Sequence, residues 1–249
     1  MARKLDYDAL AEAIPAWLRA YAQEAGMEGY VVGLSGGIDS ALAATLAVRA
    51  VGAEHVLGLL LPCHSQPEDA EFALLAADSL GIERITVPLG AAFDALIAAL
   101  PPGTAMAEAN VKPRLRMTAL YHVAQSRRRL VLGTGNKSEV MVGYFTKYGD
   151  GGVDVEPLGD LYKTEVRELA RRVGVPQPII ERPPTAGLWP GQTDEGELGI
   201  TYDELDAILM ALEAGEEPQA PPEKVARAKA LIALSEHKRR MPPVFTIRP

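Results

Sequence analysis

Tyr30-Val31-Val32-Gly33-Leu34-Ser35-Gly36-Gly37-Ile38-Asp39-Ser40 runs from an apolar segment through a glycine-rich turn into an alanine-rich stretch. The run Tyr30 to Leu34, stopped by Ser and Gly, predicts a buried strand. Residues 39–51, closed by Gly52, predict a helix. Parallel sheets bind ligands beyond the carboxyl ends of their strands. A helix that starts there offers unpaired N–H groups and the positive end of its dipole. Gly36 and Gly37 let the backbone approach an anion, and Ser35 and Ser40 add hydroxyls. Asp39 puts a carboxylate beside a bound phosphate, where Mg²⁺ would bridge the two. The turn does not spell the G-x-G-x-x-G dinucleotide pattern, and it is not the Walker pattern, because it contains no lysine.

Helix and strand signals alternate on either side of this turn. Leu5, Leu10, Ile14, Trp17, Leu18 and Tyr21 recur at helical spacing, predicting an amphipathic helix over 5–24. A second buried strand is expected at His55 to Leu61 and further strands at about 83–87 and at Leu130 to Leu132, with helices over 67–80, 91–99 and 110–127. Strands separated by such helices imply an α/β fold: a doubly wound, mostly parallel sheet with helices on both faces. Further on, Lys163 to Val173 reads as a helix and Glu181 to Glu197, rich in Pro, Gly and Thr, as a long loop. Thr201-x-x-Glu204 is a capping box that opens another helix, and Pro222 to Lys238 is the last one. No internal repeat and no long polar linker interrupts residues 1–249, so one domain with a helical C-terminal extension is expected.

The 249 residues carry 25 basic and 33 acidic side chains, a net charge of −8 that disfavours non-specific nucleic-acid binding. Cys63 is the single cysteine, so an internal disulfide and cysteine-based zinc sites are excluded and a cytoplasmic location is expected. No continuous apolar run is long enough for a membrane span. Against that acidic average, Asn110 to Lys147 holds eight basic residues and only Glu139 as an acid, a candidate anion site.

Gly33-x-Ser35-Gly36-Gly37-x-Asp39-Ser40 resembles the PP-loop of the N-type ATP pyrophosphatases. Leu132-Gly133-Thr134-Gly135-Asn136-Lys137-Ser138-Glu139, Gly143-Tyr144-Phe145-Thr146-Lys147-Tyr148-Gly149-Asp150-Gly151-Gly152 and Pro157-Leu158-Gly159-Asp160-Leu161-Tyr162-Lys163-Thr164 resemble the NAD synthetases within that superfamily. The blocks Asn110-Val111-Lys112-x-Arg114-x-Arg116-Met117, Pro184-Thr185-Ala186, Asp194-Glu195-x-Glu197 and Glu236-His237-Lys238-Arg239 extend the resemblance over nearly the whole chain. The PP-loop strand starts near residue 30, which leaves no room for an N-terminal glutaminase, so free ammonia is the expected nitrogen donor.

The resemblance implies ATP-dependent amidation of deamido-NAD through an acyl-adenylate, releasing pyrophosphate and then AMP. It implies that Gly33, Leu34, Ser35, Gly36, Gly37, Ile38, Asp39, Ser40, Thr134, Lys163 and Thr185 contact ATP, and that Asp39 and Glu139 hold Mg²⁺. Arg114, Lys147, Asp150, His237 and Lys238 match deamido-NAD positions, and Asp150 is also a candidate to orient ammonium and take its proton. Asp39, Lys163 and Asp150 are thus the expected catalytic residues, in a homodimer. Arg127 to Arg129 read as plain surface charge. The loops at 62–67 and 181–197 are expected to order over bound substrates. A tRNA-thiolating relative is disfavoured by the lone Cys63 and the acidic charge. A non-catalytic nucleotide sensor is disfavoured by the presence of Asp39, Glu139 and Lys163.

Overall fold

In the computed structural model, which describes residues 3–189 and 191–247, four strands form one parallel sheet. They are β1 (Tyr30–Gly33), β2 (Val56–Leu60), β3 (Glu83–Thr86) and β4 (Leu130–Leu132), in the order β3-β2-β1-β4. Tyr30 stands opposite Val56 on one side and Leu130 on the other. The order reverses at β1, so the crevice between the carboxyl ends of β1 and β4 is the topological switch point, where such sheets take their ligands.

Side chains alternate across the sheet. Tyr30, Val32, Leu60 and Leu132 face the cluster built by α1 (Tyr7–Glu24), α2 (Ile38–Val51) and α3 (Pro67–Leu80). Val31, Leu57, Leu59 and Val131 face the opposite layer of α4 (Gly90–Ala99) and, beyond the short α5 (Ala105–Ala109), α6 (Val111–Ser126). α2 is buried nearly all round, which explains its alanine content: it must pack against the sheet, α1 and α3 at once. α1 starts at Tyr7 rather than residue 5 because the Asp6 carboxylate accepts the N–H groups of Asp8 and Ala9 at 3.1 Å each.

Several short elements were not foreseen from the periodicity. α7 (Lys137–Val142) follows β4 directly, and α9 (Gln177–Ile180) follows α8 (Lys163–Val173). α10 (Asp194–Leu198) ends the segment expected to be a loop; Pro190 within that segment lies outside the described residues. Val166, Leu169 and Ala170 of α8 join the core on the α2 face. The C-terminal extension is therefore α11 (Tyr202–Glu213) and α12 (Pro222–Ser235), which bury Tyr202, Leu205, Ile208, Leu209 and Val225 with Val142 of α7 in a separate cluster. α12 stops at Ser235 and passes into a 3₁₀ turn over Glu236–Lys238.

The basic segment is split by the fold. Arg127 and Arg128 pair with Glu83 and Glu28, and Arg129 donates to the Glu54 carbonyl. All three lie at the amino-terminal end of the sheet, opposite the switch point; Arg127 and Arg128 are exposed, but Arg129 is half-buried with Nη1 buried, so the expectation of plain surface charge does not hold for it.

Candidate active site

The turn from β1 into α2 is held by its own hydroxyls. Ser40 Oγ donates to the Gly37 carbonyl (2.9 Å) and lies 3.1 Å from Ser35 Oγ, which accepts the Gly37 N–H (3.2 Å). No side chain caps α2, so the first N–H groups of the helix are left for a ligand. Gly36 adopts φ = +79°, and a Cβ there would meet the Asp69 carbonyl at 2.6 Å and the Phe72 Cβ at 2.9 Å. Only glycine fits both the conformation and the space.

β4 delivers the second half of the site. Asn136 caps α7, its Oδ1 accepting the Glu139 N–H (3.0 Å), while its Nδ2 donates to Asp39 Oδ1 (2.9 Å). One residue thus terminates the turn and ties it to the PP-loop carboxylate. The third part comes from α8. Lys163 is its first residue, 2% exposed, with Nζ 2.5 Å from Asp39 Oδ2 and 3.2 Å from Glu139 Oε1. A lysine at a helix start opposes the dipole, and the two carboxylates compensate. The Lys163 N–H donates to Ser138 Oγ (2.9 Å) and the Thr164 N–H to Asp206 Oδ2 (2.8 Å), which pins α8 to α7 and α11.

Burial opposes the charge on Lys163, but Asp39 and Glu139 outweigh it and hold the ammonium above the usual lysine range. Glu139 is pushed upward because desolvation exceeds the attraction of Lys163. Asp194 is raised by burial for the same reason. The Tyr202 hydroxyl lies 3.3 Å from Glu139 Oε1 and 3.2 Å from Asp194 Oδ2. Tyr144 reaches Asp194 (3.1 Å) and Glu197 (2.9 Å).

A cleft of about 650 Å³ opens over these groups. Its wall includes Gly33, Leu34, Ser35, Gly37, Ile38, Asp39, Ser40, Thr134, Glu139, Asp150, Lys163, Thr185 and Lys238, all expected from the sequence. Four expected residues are not part of that wall. Gly36 is roofed by α3, and Arg114, Lys147 and His237 gather beside the cleft. Lys147 Nζ donates to the His237 carbonyl (2.6 Å), and Arg114 Nη2 reaches the Lys147 carbonyl (3.4 Å). Lys238 turns inward and donates to the carbonyls of Gly143 (2.7 Å) and Phe145 (2.8 Å). Asp150 is an exposed residue whose carboxylate accepts the Thr146 N–H (2.9 Å). A smaller cavity of about 370 Å³ adjoins behind Thr134, with Glu156 on its wall.

Arg116, Arg182, Tyr144, Asn136, Asp194 and Tyr202 complete the site without having been assigned roles from the sequence. Arg116 and Asp194 stand inside quoted motif blocks, so the signal was present; Arg182 and Tyr202 stand in none.

The donor set suits a hard divalent cation. Six carboxylates but only four cationic side chains line the cleft, so a polyphosphate entering it requires added positive charge. Among the described residues no three His, Cys, Asp or Glu side chains form a complete cage. Mg²⁺ in general takes one or two carboxylates and completes its shell with water and substrate phosphate.

A model of the NAD synthase family matches residues 10–242. The NH3-dependent NAD(+) synthetase of Archaeoglobus fulgidus is 50% identical over 98% of this chain and 99% of its own length. Among solved structures, the NMN synthetase of Francisella tularensis superposes with a TM-score of 0.91 at 37% identity, covering 98% of this chain and 100% of that one. An NH3-dependent NAD synthetase from Campylobacter jejuni gives a TM-score of 0.86 at 31% identity, with 98% and 100% covered. With the PP-loop turn, the Asn136 cap and the Lys163 bridge meeting at one switch point, the chain belongs to the NAD synthase family.

Proposed function

We propose that this chain is an ammonia-dependent ligase that amidates the nicotinate carboxylate of deamido-NAD at the expense of ATP. The observation that carries this reading is the meeting of Asp39, Glu139 and Lys163 at the uncapped start of α2, inside a cleft of about 650 Å³. The N–H groups of the turn and Lys163 grip the phosphates. Asp39 and Glu139 would hold Mg²⁺, which supplies charge neutralisation at the phosphates when bound.

The acceptor carboxylate attacks the α-phosphorus, pyrophosphate leaves, and ammonia displaces AMP from the acyl-adenylate. No protein nucleophile is required. Placement of two bound reactants is worth roughly 7–11 kcal/mol in well-oriented cases. Thr134 and Thr185 contact ATP, and Arg114, Lys147, His237 and Lys238 take the dinucleotide phosphates. Asp150, on the same side of the cleft, orients ammonium and receives its proton. The near-complete match to an NH3-dependent relative supports free ammonia as donor. The segments 62–67 and 181–197 close over the substrates and exclude water; unchanged proteolysis of 181–197 on adding ATP and deamido-NAD would reject that.

The enzyme acts as a cytoplasmic homodimer in this reading. No described helix is long and apolar enough to cross a membrane. α4 buries none of its residues, and Leu96, Leu100 and Met106 leave an apolar face open beside α6, suited to a second copy.

The test is formation of AMP, pyrophosphate and NAD in equal amounts from ATP, Mg²⁺, deamido-NAD and ammonium. Asp39→Asn should keep the fold and lose the reaction. Nicotinate mononucleotide is the competing acceptor, favoured by the likeness to an NMN synthetase. A higher kcat/KM with the mononucleotide would move the assignment to it.

A further inference from the structure

Arg182 is the cation that lies against Gly36 among the described residues. Its guanidinium Nη1 lies 3.0 Å from a Cβ built on Gly36, directly over the PP-loop. The side chain is 11% exposed, stacks on the Phe72 ring with its centre 4.8 Å from the centroid, and pairs with Asp69. Asp69 is held in turn by the capping box of α3, accepting the Gln66 N–H at 3.1 Å. The guanidinium is therefore fixed from two sides and presents its remaining donors to the cleft.

The other cations of the cleft hold partners away from Gly36. Lys163 is shared by Asp39 and Glu139. Lys238 serves carbonyls on the acceptor side. Arg116 donates to the Leu61 carbonyl (3.1 Å) and to Ser65 (3.3 Å). The acceptor groups lie on the β4 side, around Lys147 and Asp150, whereas Arg182 lies on the α3 side of the turn. An α-phosphate held between Asp39 and the acceptor side would leave the β- and γ-phosphates on the α3 side of the turn, where Arg182 lines the cleft.

We infer that Arg182 is the residue that binds the departing pyrophosphate of ATP, with Asp69 as its positioning partner. This rests on the reading of the site as one that splits ATP between its α- and β-phosphates. Planar, always-charged guanidinium matches two phosphate oxygens at once. As the phosphates arrive, Arg182 exchanges part of its bond with Asp69 for them, and no new cation has to be recruited from solvent.

The experiment is titration calorimetry on the full chain with Mg²⁺-pyrophosphate, Mg²⁺-ATP and AMP. Arg182→Gln should weaken pyrophosphate and ATP by about tenfold or more and leave AMP, which lacks both outer phosphates, unchanged. Arg182→Lys should recover part of the loss, and keeps the test open if the glutamine variant folds poorly. Asp69→Asn should weaken pyrophosphate less than Arg182→Gln does. If Arg182 merely staples residues 181–189 to α3, the Gln and Asn variants will lose equally, AMP included; that result, or unchanged pyrophosphate affinity, overturns the inference. Turnover of the unaltered chain is measured beside it. Failure there, with pyrophosphate binding still dependent on Arg182, would refute the proposed reaction and not the pyrophosphate site.

Discussion

Replacing Lys163 with methionine removes a single charge from between two carboxylates while keeping most of the side-chain volume. In the native arrangement Nζ lies 2.5 Å from Asp39 and 3.2 Å from Glu139, with the lysine side chain 3% exposed. Deleting one partner of a buried ion pair typically costs about 3–5 kcal/mol, because the remaining charge stays buried. The lower end applies here. Asp39 keeps the Asn136 amide, Glu139 keeps the Tyr202 hydroxyl, and the two carboxylates are 17% and 16% exposed, so some water reaches them. About 3 kcal/mol corresponds to a fall of roughly 6–12 °C in melting temperature for a chain of this size. Calorimetry in magnesium-free buffer measures it. Adding Asp39→Asn to Lys163→Met should restore part of the loss, because the repulsion between the carboxylates goes with the second charge. A methionine variant that melts within about 2 °C of the unaltered chain would refute the claim that this triad is a coupled, desolvated unit.

Other outcomes follow from the same geometry. Gly36→Ala should cost about 2 kcal/mol or more and abolish ATP binding, since φ = +79° and the Asp69 carbonyl leave no room for a methyl group; melting and ATP titration check both. Tyr202→Phe should lower stability by about 1–3 kcal/mol through the hydrogen bonding lost at Glu139 and Asp194, and an unchanged melt would contradict it. Lys147→Ala should raise KM for deamido-NAD and leave KM for ATP alone; equal effects on both would deny the acceptor assignment. Glu156→Gln should stabilise the fold near neutral pH by about 1 kcal/mol. Desolvation, then Asp150, raises the folded-state pKa of Glu156 above its ordinary 4.5. Its ionised form is therefore a liability present above the folded value. That liability vanishes below 4.5, where the group is protonated in both states. Denaturant melts of both proteins across pH 4–8 should converge at the acid end, and a constant offset would be the wrong sign of evidence.

Much of the architecture was legible in the chain because it depends on local chemistry. The apolar run before Ser35, the Gly36-Gly37 turn and the alanine-rich stretch after Ile38 each favour one conformation, and together they specify a strand, a turn and a buried helix. The short elements α7, α9 and α10 escaped because helices of four to six residues carry too few turns for periodicity to show. Capping was the available clue: Asn136-x-x-Glu139 has the form of a capping box.

The identities of Asp39, Glu139 and Lys163 could be read from their motifs, but their union could not. Lys163 and Asp39 are separated by 124 residues, and a motif says nothing about which distant charges will share a proton's worth of space. Arg114 and Arg116 show the same limit. Two positions apart on a helix, they point about 200° away from each other, so one turns to the rim and the other into the cleft. Composition and spacing dictate where backbone turns and which faces are apolar, since those are properties of neighbours along the chain. Which charges are paired, desolvated or left free for a ligand depends on groups brought together from β1, β4, α6, α8 and the segment at 182, and only packing in three dimensions assigns them.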